Sequence, residues 1–311
     1  MIRNTRFPYL FHVVACAALL LASAQSQANL SFVFDYTSAP DFTAPRKAAF
    51  ESAALSLGSF FTNTATLNFK VNSESVNNTT LASASSDSSS PAGAGFFRTV
   101  AQNKAISGVD SNGAAPDGDV NWNFFHNWDL DDSIAGNAFD FKSTVIHELC
   151  HALGFISYIG AAGSNTGNTN WTTFDQFLTN TSGADMINHS TFVFDTSKNS
   201  VITGGINGVR FSGSQAMAAN SGTRISIFSP NPYQDGSSGS HLDDAFYTSA
   251  NLLMESATDT GPGARTFSAI EAGIFRDLGY TLIPEPGSVL LLVMAGGALL
   301  CRRHRRATAA L

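Results

Sequence analysis

Hydrophobic positions change period several times along the chain. Leu30, Phe32, Phe34 and Tyr36 recur at every second residue, the alternation of a half-buried strand. Next, Ala49, Phe50, Ala53, Leu57 and Phe60 fall on one helical stripe, with Pro45 near its start, where a missing N–H costs nothing. Alternation returns in Leu67, Phe69 and Val71, and again over Val120–Phe124, predicting two more strands. Between them, Asn77 to Gly95 is rich in Ser, Asn and Ala and reads as a long surface loop. The run FDFKSTVIHELCHALGF predicts a helix that stops at Gly154. Beyond it the chain is rich in Gly, Ser and Asn, with short strand candidates and one late helix over Ser268–Leu278. No internal repeat of 20 to 50 residues interrupts this order. The pattern predicts an α+β fold whose second half is rich in loops.

The two ends carry patterns of another kind. Residues 1–28 combine Arg3 and Arg6, an apolar run from Val13 to Leu21, and small residues before a cut after Ala24 or Ala28. This is the layout of a secretory signal peptide. Val13-Val14-Ala15-Cys16 imitates a lipoprotein cleavage site, but the apolar run continues past Cys16, which favours ordinary cleavage. Residues 284–311 begin Pro-Glu-Pro, continue through an apolar stretch from Val289 to Leu300, and end with Arg302, Arg303, Arg305 and Arg306. That stretch is shorter than the roughly 20 residues that span a bilayer comfortably, and its basic cluster favours the cytoplasmic side. The tail resembles the PEP-CTERM sorting signal of Gram-negative bacteria, with a plain C-terminal anchor as the alternative. The resemblance implies export across the inner membrane, transient anchoring by this segment, an exosortase-type processing enzyme as partner, and a cell-surface or extracellular destination. Contact with the membrane is expected only through this segment.

Composition narrows the classes further. Of 311 residues, 43% are hydrophobic, enough for a core, and only 13% are charged. The formal net charge is −7, and removing both ends takes away six basic residues and one acidic, leaving the body still more negative. Such a surface cannot neutralise a row of phosphates, so nucleic-acid binding is excluded. Within residues 29–283 Cys150 is the sole cysteine, so no internal disulfide can form there.

The candidate chemistry lies in His147-Glu148-Leu149-Cys150-His151, an H-E-x-x-H sequence. On a helix, positions i and i+4 stand about 40° apart, so His147 and His151 can grip one metal ion. Glu148 lies about 100° round from His147, placed to act on a water without itself binding the metal. A catalytic zinc requires a third protein ligand and an open position. No Glu occurs between Leu149 and Leu253, which counts against the pattern with a downstream Glu ligand. In the strict H-E-x-x-H-x-x-G-x-x-H pattern the third ligand would fall on Ser157, a poor zinc ligand.

HELCHALGF resembles the active helix of leishmanolysin-like metzincins, in which a long insert separates the glycine turn from the third histidine. The resemblance covers most of residues 29–283 in outline and implies a mixed twisted sheet with a backing helix and an active-site helix. It divides that body into an N-terminal subdomain (29–158) and a C-terminal subdomain (159–283) bearing the third ligand and the Met-turn. It also implies that His241 is the third Zn2+ ligand and that Met254, in Asn251-Leu252-Leu253-Met254, is the Met-turn. His189 is the less favoured histidine, and Asp243 and Asp244 are lesser candidates. The strand Val120–Phe124 resembles the upper edge strand along which such enzymes align extended substrates. No tyrosine follows Met254 closely, so the tyrosine ligand of some metzincins is not evident, and Tyr247 receives no role. Cys150, at an x position of the motif, reads as a small core residue.

The implied activity is that of a secreted zinc-dependent endopeptidase acting on protein or peptide substrates, with a zinc-activated water and Glu148 as general base. The alternatives are a non-catalytic matrix or biofilm surface protein retaining a zinc site, and a module that uses zinc only for stability. Asp110, Asp117, Asp119, Asp129, Asp131 and Asp132 cluster before the active helix. They read either as a structural Ca2+ site or, the preferred account, as solvated loop carboxylates.

Overall fold

The computed structural model describes residues 30–248 and 251–283; the expected signal peptide and sorting tail lie outside the described residues. A four-stranded mixed sheet is built from β1 (Leu30–Ser38), β2 (Ala65–Glu74), β3 (Ala82–Ser85) and β5 (Gly118–Asn123), in the order β1-β2-β5-β3. β1, β2 and β5 run parallel, and β3 runs antiparallel to β5 at the edge. The alternation visible in the sequence is the sheet's two-sidedness. Leu67, Phe69, Val71, Val120, Trp122 and Ala84 are buried on one face, while Val33, Asn68 and Asn121 are exposed.

Helix α1 (Ala44–Gly58) is the predicted backing helix, with Pro45 in its first turn. It packs on β1 and against α3 (Phe141–Ala152), the helix that carries the H-E-x-x-H sequence. Phe50 of α1 meets Phe34 edge-on at 4.8 Å and Trp122 at 5.7 Å, and Trp122 meets Phe141 of α3 at 4.5 Å. This aromatic layer fixes α3 across the sheet. Losing the Phe50 ring would cost about 3–5 kcal/mol.

Two expectations require correction. The Ser/Asn-rich stretch from Asn77 to Gly95 is not all loop, because it contains β3 and the start of β4 (Gly95–Phe97). Strand β3, sequence ASAS, buries only Ala84, so small residues hide its period. In consequence the strand beginning at Val120 is not the edge strand: β5 is internal, paired with β2 and β3. Its Val120 and Trp122 point into the core, and β3 takes the edge.

Helix α2 (Val100–Ser107) is a further element the hydrophobic period did not announce. A capping box between Thr99 and Gln102 opens it. The same Thr99 hydroxyl donates to the Ala152 carbonyl at the end of α3, and Tyr280 donates to the Leu153 carbonyl. Both satisfy orphan carbonyls at the C-terminus of α3. Gly154, with φ +102°, then turns the chain away, and a Cβ there would meet Gln102 Oε1 at 2.6 Å. No larger residue fits that turn.

The rest is loop-rich, as expected. Short strands β6 (Trp128–Asp129) and β7 (Phe139–Asp140) pair in parallel before α3, and β8 (Asn170–Thr172) pairs with β4. Strands β9 (Leu178–Thr179), β10 (Arg210–Phe211) and β11 (Ile225–Ser226) form a small antiparallel sheet. Helix α4 (Ser214–Ala219) packs on the late helix α5 (Ala269–Asp277). Among the described residues no helix is long and apolar enough to cross a membrane.

Candidate metal centre

Helix α3 begins at Asp140, whose carboxylate accepts the Ser143 amide at 3.0 Å and a two-pronged contact from Arg265 at 2.9–3.1 Å. This cap and ion pair hold the helix N-terminus against the loop that follows Gly261. In its last two turns His147 and His151 project together. His241 arrives from the insert, 90 residues beyond His151, on a loop held by Gly239 N–H to the Phe228 carbonyl and Phe228 N–H to the His241 carbonyl.

The three Nε2 atoms stand 3.1, 3.1 and 3.2 Å apart. Each ring's Nδ1 lies against a backbone carbonyl: Leu253 for His147 at 2.7 Å, Phe155 for His151 at 2.8 Å, Ser237 for His241 at 2.9 Å. A carbonyl only accepts, so Nδ1 must carry the proton, and in the neutral ring Nε2 is left with a lone pair. Three converging acceptors cannot satisfy one another. Burial pushes all three imidazole pKa values down, that of His241 to about 3, and so favours the neutral rings.

That donor set fits a cation. Ligands at about 2.0–2.1 Å around a tetrahedral zinc stand about 3.3–3.4 Å apart, close to the spacing found here. His147, His151 and His241 are close enough to bind one metal ion, and among the described residues they are the group of three or more His, Cys, Asp or Glu that could do so.

Glu148 is 7% exposed and does not join the triad; burial pushes its carboxyl up to about 8, against a lowering hydrogen bond from the Ala84 amide of β3. The histidines and Glu148 line a cleft of about 1150 Å³. Its walls include Ala82–Ala84 of the edge strand, the Gln234–Ser237 loop and the Glu255–Thr260 segment.

The lesser candidates lie elsewhere or have other partners. His189 is half exposed, set edge-on against Phe96 and 3.9 Å from Asp185. Asp243 accepts the Ser226 hydroxyl, and Asp244 accepts the Ser256 amide and hydroxyl. The Tyr247 hydroxyl accepts the Ser226 amide. Cys150 is fully buried in the apolar core. Asp110 and Asp117 share Lys104, Asp129 accepts the Asp131 and Ala135 amides, and Asp132 pairs with Lys142 and Arg265.

Met254 is fully buried, and it follows Leu253, whose carbonyl orients His147. Met254 is held by Glu271 of α5, a residue that no metal-site pattern in the sequence singles out. Its Oε1 accepts the Met254 amide and its Oε2 the Ser268 amide, each at 2.7 Å. The signal was present as Ser268-x-x-Glu271, a capping box. The second use of that carboxylate, on the Met254 segment, exists only in three dimensions.

Compared with protein-family models and with curated proteins, the chain gives no match to either.

Proposed function

We propose that this protein is an exported zinc-dependent endopeptidase resembling leishmanolysin-like metzincins. In this reading residues 1–28 direct export and residues 284–311 act as a PEP-CTERM-type sorting segment. The observation that carries the reading is the convergence of three Nε2 lone pairs, each aimed by an Nδ1–carbonyl hydrogen bond, beside a buried Glu148 at the wall of an open cleft.

His147, His151 and His241 would hold the zinc. Zinc bound there would supply Lewis acidity, lowering the pKa of a water towards about 7 and polarising a peptide carbonyl. A dication bound beside Glu148 would favour its ionised form, and the carboxylate would then accept a proton from the attacking water and return it to the leaving nitrogen. The edge strand β3, rather than the internal strand at Val120, offers the backbone along which an extended peptide can lie. A purely structural zinc site would close its shell with a fourth protein ligand, and among the described residues no further His, Cys, Asp or Glu joins the three histidines.

The test pairs metal analysis with cleavage of an unstructured protein such as casein, using wild type and Glu148→Gln. Wild type should contain about one zinc per chain and cleave casein. Glu148→Gln should keep the metal and lose activity by roughly two orders of magnitude or more. A zinc-loaded wild type that cleaves nothing, or a Glu148→Gln variant as active as wild type, would refute the assignment.

A further inference from the structure

Asp175 is 1% exposed, carries no part in the chemistry above, and sits at the start of the insert. Its Oδ1 accepts the Ser157 hydroxyl at 2.5 Å. Its Oδ2 accepts the Tyr158 amide at 3.0 Å and the Thr172 amide at 2.9 Å, with the Thr172 hydroxyl also 2.9 Å away. That hydroxyl lies 2.7 Å from the Ile156 carbonyl as well. One buried carboxylate therefore ties the segment Ile156–Tyr158 to β8.

The same short segment touches two of the three histidines' supports. Phe155, just before it, gives the carbonyl that orients His151. Ser157 donates its backbone amide to the Ser240 hydroxyl at 3.0 Å, immediately before His241. Ser157 is also the position where the strict motif would carry its third ligand. Here the chain uses that position to grip the loop that brings the third histidine from afar. Burial raises the Asp175 carboxyl while its hydrogen bonds lower it, so the group is costly to bury unless the bonds are kept.

We infer that Asp175 is a positioning residue for the metal centre: acting through Ser157 and Ser240, it sets the placement of His241 against His151. This inference rests on the metal-binding reading above. Partners beyond the ligands orient them, and their loss typically weakens metal binding by roughly 10- to 100-fold.

The experiment measures zinc affinity by competition with a coloured chelator, together with the melting temperature of the metal-free protein and the visible spectrum of the cobalt-substituted form. Full-length wild type, Asp175→Ala, Asp175→Asn and Ser240→Ala are compared. Asp175→Ala should weaken zinc binding about 10-fold or more and alter the cobalt spectrum. Asp175→Asn, which can keep an acceptor for the two amides and re-pair with the Ser157 hydroxyl, should restore most of the affinity. Ser240→Ala should weaken zinc binding several-fold with little change in metal-free melting temperature. A purely structural role would lower melting temperature and leave affinity and spectrum unchanged. If Asp175→Ala does not fold, Ser240→Ala decides. Zinc affinity and cobalt spectrum identical to wild type in Ser240→Ala would overturn the inference alone. A wild-type protein that takes up no metal would overturn the functional reading, and this inference with it.

Discussion

Replacing Glu271 by Ala tests whether α5 supports the metal centre from beneath. Glu271 is fully buried, and its two oxygens serve different elements: Oε1 the Met254 amide, Oε2 the Ser268 amide at the N-cap of α5. Truncation leaves the buried Met254 amide without its acceptor, at about 1–3 kcal/mol, and halves the capping box, at about 1 kcal/mol. Burial raises the Glu271 carboxyl pKa, so some of that loss is returned when the carboxylate is removed. The losses sum to about 2–4 kcal/mol and the net is smaller, about 1–3 kcal/mol, which for a body of this size lowers the melting temperature by roughly 2–12 °C. A second effect separates support from bulk stability. Leu253 lies between the Glu271 contact and His147, and its carbonyl holds the His147 Nδ1. Zinc affinity should therefore fall by roughly 10-fold as well. Circular-dichroism melts of the metal-free protein and chelator competition measure the two effects. A Glu271→Ala protein melting within about 2 °C of wild type, with unaltered zinc affinity, would refute this account.

Other outcomes follow from the same geometry. His241→Ala should abolish stoichiometric zinc binding by removing one of three ligands, whereas His189→Ala, at a half-exposed site, should change metal content and melting temperature little; equal metal loss in both would sink the ligand set. In the metal-free protein the three largely buried rings resist protonation, so their folded pKa values lie below the unfolded value of about 6.5. The unfolded chain then binds more protons below that pH, and metal-free stability should fall as pH drops from about 7 towards 5. Denaturation midpoints for wild type and His241→Ala measure this, and the slope should be shallower in the variant.

The local pattern was enough to read β1, α1, β2, α3 and α5, because each buries one face and its period is written in side-chain type. The same locality explains why His147, Glu148 and His151 were legible: four residues of helix bring the two histidines together, whatever the rest of the chain does. His241 could be named only through a resemblance, since no local rule links residues 90 positions apart, and it took the folded insert to bring its Nε2 to 3.1–3.2 Å from the other two. β3 escaped because ASAS carries almost no hydrophobic contrast, and its place at the edge, with β5 inside, is a matter of strand order that no single segment encodes. Tertiary structure alone decided which carbonyls orient the imidazoles and which carboxylates, Glu271 and Asp175, hold those carbonyls and loops. Hydrogen bonds between distant segments depend on where the whole chain has packed, and burial is what gives a lone carboxylate the leverage to set them.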